Sequence, residues 1–449
     1  MTRRHRDPRT GQRDARQLGF WMCAALVVGN SIGSGVFMLP ASLAPYGPNG
    51  LTAWMFTAAA AVLLAFVFAE LSRAFPLDGG PYVYTRAAFG ERAGFVVAWG
   101  YWVSIWVGNA AIATGSVSYL GALVPWVEAT PGAARLVTVA FVWLFTLVNC
   151  IGIRAAGWVQ AVTTVLKLMP LLAVSVAGAL YTRLDAAVHL ADVPVTLDGT
   201  AAAATLTLWA VLGLESATVP ADKVKDPDRT IPRATLAGTM LTAVVCAVTC
   251  SIVMLTVPAA QLATSGAPFA EAARVFWGER SATLISLFAA ISALGALNGW
   301  ILLQGELPYA MAKDGVFPAV FGRESGRHTP VFALVSTSVL VTILVLLNFN
   351  GRTVDVFTFM ILLATTSTLA AYLACSLALL VLAMRGALGP ARPRVAVLSV
   401  AGMLGAAYSL WAIYGAGRSA VLWGAVLLIA ALPVHVLMKR SLTTPNPAP

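Results

Sequence analysis

Charge is scarce in this chain. Only 11% of the 449 residues are Asp, Glu, Lys or Arg, whereas 59% are hydrophobic. With a mean hydropathy of +0.81, a soluble fold of this size would lack the polar groups to cover its surface, so lipid has to cover it. Histidine is also rare. The four (His5, His189, His328 and His435) fall in tails, loops or near a helix end, which leaves a membrane-embedded enzyme without metal ligands or a paired acid and base. The five cysteines (Cys23, Cys150, Cys246, Cys250 and Cys375) all lie in apolar stretches, excluding a disulfide framework and a metal cluster. Cys246 and Cys250 share one helix face, as packing residues do. No cofactor is implied.

What the chain does have is apolar runs of roughly 20 residues, the length that crosses a hydrocarbon core of about 30 Å. About twelve are expected, beginning near Leu18, Leu51, Gly94, Ala134, Trp158, Ala201, Ala234, Ala282, Pro330, Val354, Val395 and Ala420. The net charge of +10 would suit a nucleic-acid partner, but the basic residues follow membrane topology instead. With the N-terminus in the cytoplasm, outside loops hold Arg135, Arg183, Arg274, Arg280, Arg352 and Arg418, Lys167 lies within a span, and all the others face inwards. That bias places both termini of this multi-pass protein in the cytoplasm. The N-terminal apolar stretch is too long for a signal peptide and shows no small-residue cleavage site, so it reads as the first span.

Two spans are interrupted. In the first, GNSIGSG places Gly29, Gly33 and Gly35 around Asn30, Ser31 and Ser34 in mid-membrane. Close helix contact would use such glycines, but polar atoms at this density favour unwound backbone, which membranes tolerate only beside a cavity or inside protein. In the sixth, TLWAVLGLESATVP brings Gly213, Glu215, Ser216 and Pro220 after Trp209. A carboxylate at that depth costs roughly 2.5 to 3.5 kcal/mol on insertion scales, so Glu215 is a functional candidate unless it merely reaches cytoplasmic water. Breaks five spans apart are what a five-plus-five inverted repeat produces, with the substrate between them. The expected organisation is a cytoplasmic basic tail over 1–17, a ten-helix transport core over 18–383, two peripheral helices over 384–440 and a disordered cytoplasmic tail over 441–449.

The segments GNSIGSGVFMLP, AELSRAFPLDGGPYVYTRAAFG, GYWVSIWVGNAA, LWAVLGLESATVPADKVKDPDRTIPRAT and LGALNGWILLQGELPYAMAKDGVFP resemble, in order, the amino acid, polyamine and organocation transporters, and among them the bacterial arginine/agmatine antiporters. The resemblance implies an all-α membrane protein with a LeuT-like inverted repeat, discontinuous helices 1 and 6, amino acid and amine substrates, and homodimers. It implies that Ser31, Gly33, Ser34 and Gly35 receive the substrate carboxylate, a task suited to a half-helix N-terminus, while carbonyls around Trp209 and Leu212 meet the amino group. It places Trp300 against the cationic side chain, with Trp209 closing over it. Tyr101 is implied as an outer gate, Asn109 as a partner of the guanidinium, Ser104, Ile105 and Ile112 as neighbouring contacts, and Glu215 as a pH sensor. Asn109 also reads as interhelical glue.

The sequence departs from the arginine/agmatine pattern where Ile105, Ile112 and Ala296 replace a thiol, a thioether and a hydroxyl, and where another hydroxyl is lost near Ala364. The pocket is then drier than a five-donor guanidinium wants. Lys167, in TTVLKLMPLL, is the other departure. Some proton-coupled relatives carry a lysine there, directed at the unwound first helix, and it reads either as a titrating group or as a structural ammonium tied to carbonyls. The leading expectation is exchange of a cationic amino acid for its decarboxylated amine. A proton-coupled permease or exporter of neutral amino acids using Lys167 is the alternative, and a transport-dead sensor is a third reading that demonstrated flux would remove.

Overall fold

The computed structural model describes residues 18–435 apart from 131, 182–188, 220, 222–223, 327–328, 349–352 and 389–391. The tails expected over 1–17 and 441–449 therefore lie outside the described residues. The main elements are α1 (Phe20–Ser31), α2 (Ser34–Leu43), α3 (Pro48–Ala74), α4 (Pro81–Phe89), α5 (Glu91–Leu123), α6 (Ala133–Ile151), α7 (Ile153–Tyr181), α8 (Leu197–Trp209), α9 (Pro227–Thr256), α10 (Pro268–Trp277), α11 (Glu279–Lys313), α12 (Val331–Asn348), α13 (Thr353–Met384), α14 (Arg392–Gly415) and α15 (Gly417–Ile429).

Among the described residues, ten helices are long and apolar enough to cross a membrane, α1 and α2 counting together as Phe20–Tyr46. Segment Val331–Leu347 is a shorter apolar helix, and α8 stops at Trp209. Several helices begin earlier than hydropathy suggests. Helix α9 starts at Pro227 rather than near Ala234, because proline is preorganised for the first helical turn and the polar DRTIPR stretch after it is helical without being apolar. The short helices α4 and α10 were not anticipated, since neither is long enough to register as a span.

The most enclosed crossings are α1–α2, α5 and α11, with 76%, 78% and 72% of their apolar windows buried, against 17% for Gly417–His435 at the edge. Helix α5 packs on α11 and α13, α3 on α9, α6 on α12 and α11 on α7, while α14 lies along α13. The two broken crossings sit inside this ring.

The break in the first crossing is a short backbone excursion. Ile32 is extended and Gly33 has φ −133°, ψ −145°, so the helical ladder ends with Ile32 N–H on the carbonyl of Val28 at 2.9 Å and resumes at Ser34. In the sixth crossing the chain leaves α8 through turns at Ala210–Glu215. Gly213 takes φ +103°, a conformation that suits glycine, and a Cβ there would lie 3.1 Å from Asn30 Cβ. The two breaks thus touch.

Candidate functional site

Freed carbonyls in a membrane interior have to find donors. In the first crossing they find them on side chains from two other helices. Lys167 of α7, fully buried, donates from Nζ to the carbonyls of Gly29 at 2.6 Å and Ile32 at 2.7 Å. Trp300 of α11 donates from Nε1 to the carbonyl of Asn30 at 2.9 Å. The Asn30 side chain reaches the other break, Nδ2 donating to Ser216 Oγ at 3.0 Å. On α9 the Cys250 thiol faces the carbonyl of Val36 at 3.4 Å and the Cys246 thiol that of Ala210 at 3.8 Å. The pair therefore packs against one half of each broken crossing.

Between the breaks lies a cavity of ≈ 10 Å³, about the space of one water molecule. Its walls are Asn30, Ser31, Gly33, Gly35, Ile112, Trp209, Leu212 and Trp300. Glycine is required here for close approach: a Cβ on Gly35 would lie 2.7 Å from Trp209 Nε1, and one on Gly33 2.7 Å from Ala296 Cβ. The Ser31 hydroxyl is buried with no hydrogen-bond partner among the described residues. None of the eight wall residues is charged.

Seven of the positions expected from the sequence therefore line this cavity. Tyr101, Ser104, Ile105, Asn109 and Ala364 are not among these walls. Ser34 begins α2, and its side chain lies outside the described residues. Ser104 is turned onto its own helix, Oγ donating to the carbonyl of Tyr101 at 2.7 Å. Ile105 and Ala364 are buried, and Ala364 Cβ would sit 4.0 Å from a Cβ on Gly108, which itself packs on the Trp209 ring. Asn109 donates from Nδ2 to Gln304 Oε1 at 2.8 Å.

Glu215 is fully buried just past the second break and holds two phenols. Tyr101 donates to Oε1 at 2.6 Å, and Tyr372 of α13 donates to Oε2. Tyr101 lies about 16 Å along α5 from Ile112, at roughly 1.5 Å per residue, on the side where α5 begins. Beyond this triad the chain closes again. Gly79 N–H donates to the carbonyl of Val219 at 3.1 Å, and Lys225 N–H to that of Leu18 at 2.9 Å. The Tyr101–Glu215–Tyr372 triad thus closes the side of the cavity on which α5 begins.

Three participants escaped the sequence reading. Asn30 was seen only as part of a polar motif. Tyr372, in LAAYLACS, carries no local signal. Gln304 was detectable, because an amide in mid-span one turn from Trp300 is costly unless paired.

Two interrupted helices facing each other inside a ring of crossing helices, around a small uncharged cavity, define a membrane carrier. The chain belongs to the amino acid permease family, which it matches over residues 18–438, a family of transporters rather than enzymes. It is 35% identical over 358 residues to the cadaverine/lysine antiporter of Escherichia coli (strain K12), covering 76% of this chain and 78% of that one. It is 30% identical over 418 residues to a putrescine transporter of Haemophilus influenzae, covering 92% and 95%, and 34% identical over 357 residues to a putative arginine/ornithine antiporter of Bacillus subtilis, covering 72% and 76%. In fold it is similar to a crystal structure of the Eremococcus coleocola manganese transporter, with a TM-score of 0.58 and 13% identity over 97% of this chain and 96% of that one.

Proposed function

We propose that this protein exchanges a basic amino acid for the amine left when its carboxyl group is removed, by alternating access across a bacterial inner membrane. The observation that carries the reading is the cavity between the two breaks, walled by two indoles and free of charge. An indole face attracts a cation without fixing it to one counter-ion, so an amino acid and its amine can occupy one site in turn. The partnerless Ser31 hydroxyl and the N-terminus of α2 would receive the carboxylate when there is one. Pairings of α3 with α9, α5 with α11 and α6 with α12 join crossings five apart, which supports a five-plus-five inverted repeat followed by two peripheral helices.

The substrate pair is narrowed by chemistry. Ile105, Ile112, Ala296 and Ala364 offer no acceptors, and a guanidinium needs partners for five N–H groups. A primary ammonium asks for less. We therefore favour a lysine/cadaverine-like pair over an arginine/agmatine-like one, the pair named for the Escherichia coli relative, although the Bacillus subtilis relative is named for arginine and ornithine.

Labelled lysine should enter proteoliposomes loaded with cadaverine at least about ten-fold faster than empty ones, whatever the pH gradient. The neutral-substrate reading has its own support in Lys167, whose buried ammonium sits on the first break. Equal uptake into empty vesicles, driven by a pH gradient, would favour that reading and remove obligatory exchange.

While ionised, Glu215 accepts from both phenols, and protonation would turn one of its acceptor oxygens into a donor that needs an acceptor of its own. Closing one side of the cavity with its two phenols, Glu215 would couple pH to opening of that side. Glu215→Gln permanently replaces one acceptor by a donor. Transport rates of this variant between pH 5 and 8 should vary less than about two-fold where the wild type varies about ten-fold, with lysine affinity kept. A pH profile parallel to that of the wild type would move the sensor elsewhere.

A further inference from the structure

Behind the cavity a row of buried amides and hydroxyls joins four helices. Gln304 lies one turn past Trp300 on the same face of α11. Its Nε2 donates to Ser338 Oγ at 2.8 Å and to the carbonyl of Leu334 at 3.4 Å. A carbonyl only accepts, so the Leu334 contact fixes which end of the Gln304 amide faces α12. Oε1 is thereby turned towards α5, where it accepts from Asn109 Nδ2 at 2.8 Å. The far end is anchored as well, because Ser338 Oγ and Thr146 Oγ1 of α6 are 2.6 Å apart.

The consequence falls on Asn109. With its amino end committed to Gln304, Oδ1 is left buried and without a partner among the described residues, in a side chain that is wholly inaccessible. Asn109 shares a helix face with Ile105 and Ile112. Ile112 lines the cavity, and the neighbouring Gly108 approaches the Trp209 ring so closely that a Cβ there would meet it at 3.1 Å. The side chain that holds this lone acceptor oxygen is thus one residue from the glycine that meets the Trp209 ring and on one helix face with a wall of the cavity.

We infer that Gln304 is a specificity-setting positioning residue: by locking the Asn109 carboxamide it presents an oxygen that selects substrates ending in an N–H donor over isosteres ending in a methyl group. This rests on the basic-substrate reading above and deepens it. An unpaired buried acceptor is unfavourable, and an ammonium relieves it where a methyl group cannot. If the carboxamide were free to rotate, its amino end would compete for the same place and oppose a cation.

The test is binding of lysine and norleucine, which is lysine without its ammonium, to the full-length protein in detergent, measured by calorimetry. The wild type should prefer lysine. Gln304→Met, close in length and shape, should lose about ten-fold of that preference with norleucine affinity held within about two-fold. Asn109→Leu should lose as much, and the double variant no more than either alone, because Gln304 acts through Asn109. Ser338→Ala, a milder change, should lose about three-fold and decides the matter if Gln304→Met does not fold. Equal weakening of both ligands, or additive losses in the double variant, would make Gln304 merely structural and overturn the inference while leaving the basic-substrate reading intact. A wild type with no preference for lysine removes that reading, and this inference with it.

Discussion

Lys167→Met should abolish exchange, lowering labelled lysine uptake into cadaverine-loaded proteoliposomes by more than about 100-fold. The ammonium answers two carbonyls, those of Gly29 and Ile32, at 2.6 and 2.7 Å, and nothing about methionine can replace it. A buried acceptor stripped of its donor costs about 1–3 kcal/mol, so two of them cost about 2–6 kcal/mol, comparable to the lower end of a whole protein's folding stability of about 5–15 kcal/mol. The first crossing would then rewind or collapse, and the Ser31–Gly35 wall with it. Lys167→Gln separates the two readings of this residue. Its amide nitrogen carries two N–H donors and no charge, so a purely structural tie is partly restored and exchange returns to within about ten-fold of the wild type. A group that carries a proton through the cycle is not restored. If wild-type uptake followed a pH gradient in empty vesicles and Lys167→Gln alone lost that response while still binding lysine, the clamp reading would fall and proton coupling would stand.

The places where sequence reasoning succeeded share a physical cause. GNSIGSG and LGLESATVP were legible because glycine and polar atoms in mid-membrane violate a strong rule, and a violation of that kind requires a compensating structure. Lys167 is legible as an exception for the same reason, whereas its direction towards the first break comes from the resemblance to relatives that carry a lysine there. Ser31, Gly33, Gly35, Trp209 and Leu212 come together as walls because they sit at the two breaks, while Ile112 and Trp300, implied by the resemblance alone, join them from α5 and α11. The failures also have causes. Tyr372 is one aromatic among many, and its role arises only when α13 brings it to Glu215, a long-range pairing with no local trace. Tyr101 carries no local sign of its partner either, since its bond to Glu215 spans 114 residues of chain. Asn109 was read as a ligand contact or as glue, and it makes an interhelical bond to Gln304 while leaving one oxygen unpaired. Choosing between such readings needs the donor and acceptor directions of the whole row.

Trp300→Ala and Trp300→Phe should give different answers, and the difference defines what the indole does. Its ring walls the cavity while its Nε1–H holds the carbonyl of Asn30 at 2.9 Å, so one side chain serves both the substrate and the break. Phenylalanine keeps an aromatic face and loses the N–H. Alanine loses both. A cation over a desolvated aromatic face is worth about 2 kcal/mol, which corresponds to about 30-fold in affinity. Trp300→Ala should therefore weaken lysine and cadaverine by about 30-fold beyond any loss it causes for norleucine, measured by calorimetry on the same preparations. Trp300→Phe should keep most of the preference for lysine but weaken all three ligands together by about five- to ten-fold, because the orphaned Asn30 carbonyl loosens the half-helix end on which each of them rests. Norleucine serves as the internal reference, since it feels the break and not the cation–π contact. Parallel losses for lysine and norleucine in Trp300→Ala would show that the indole shapes the first crossing and takes no part in recognising charge. The weight of cation selection would then pass to the oxygen on Asn109, which Gln304→Met probes independently of the ring.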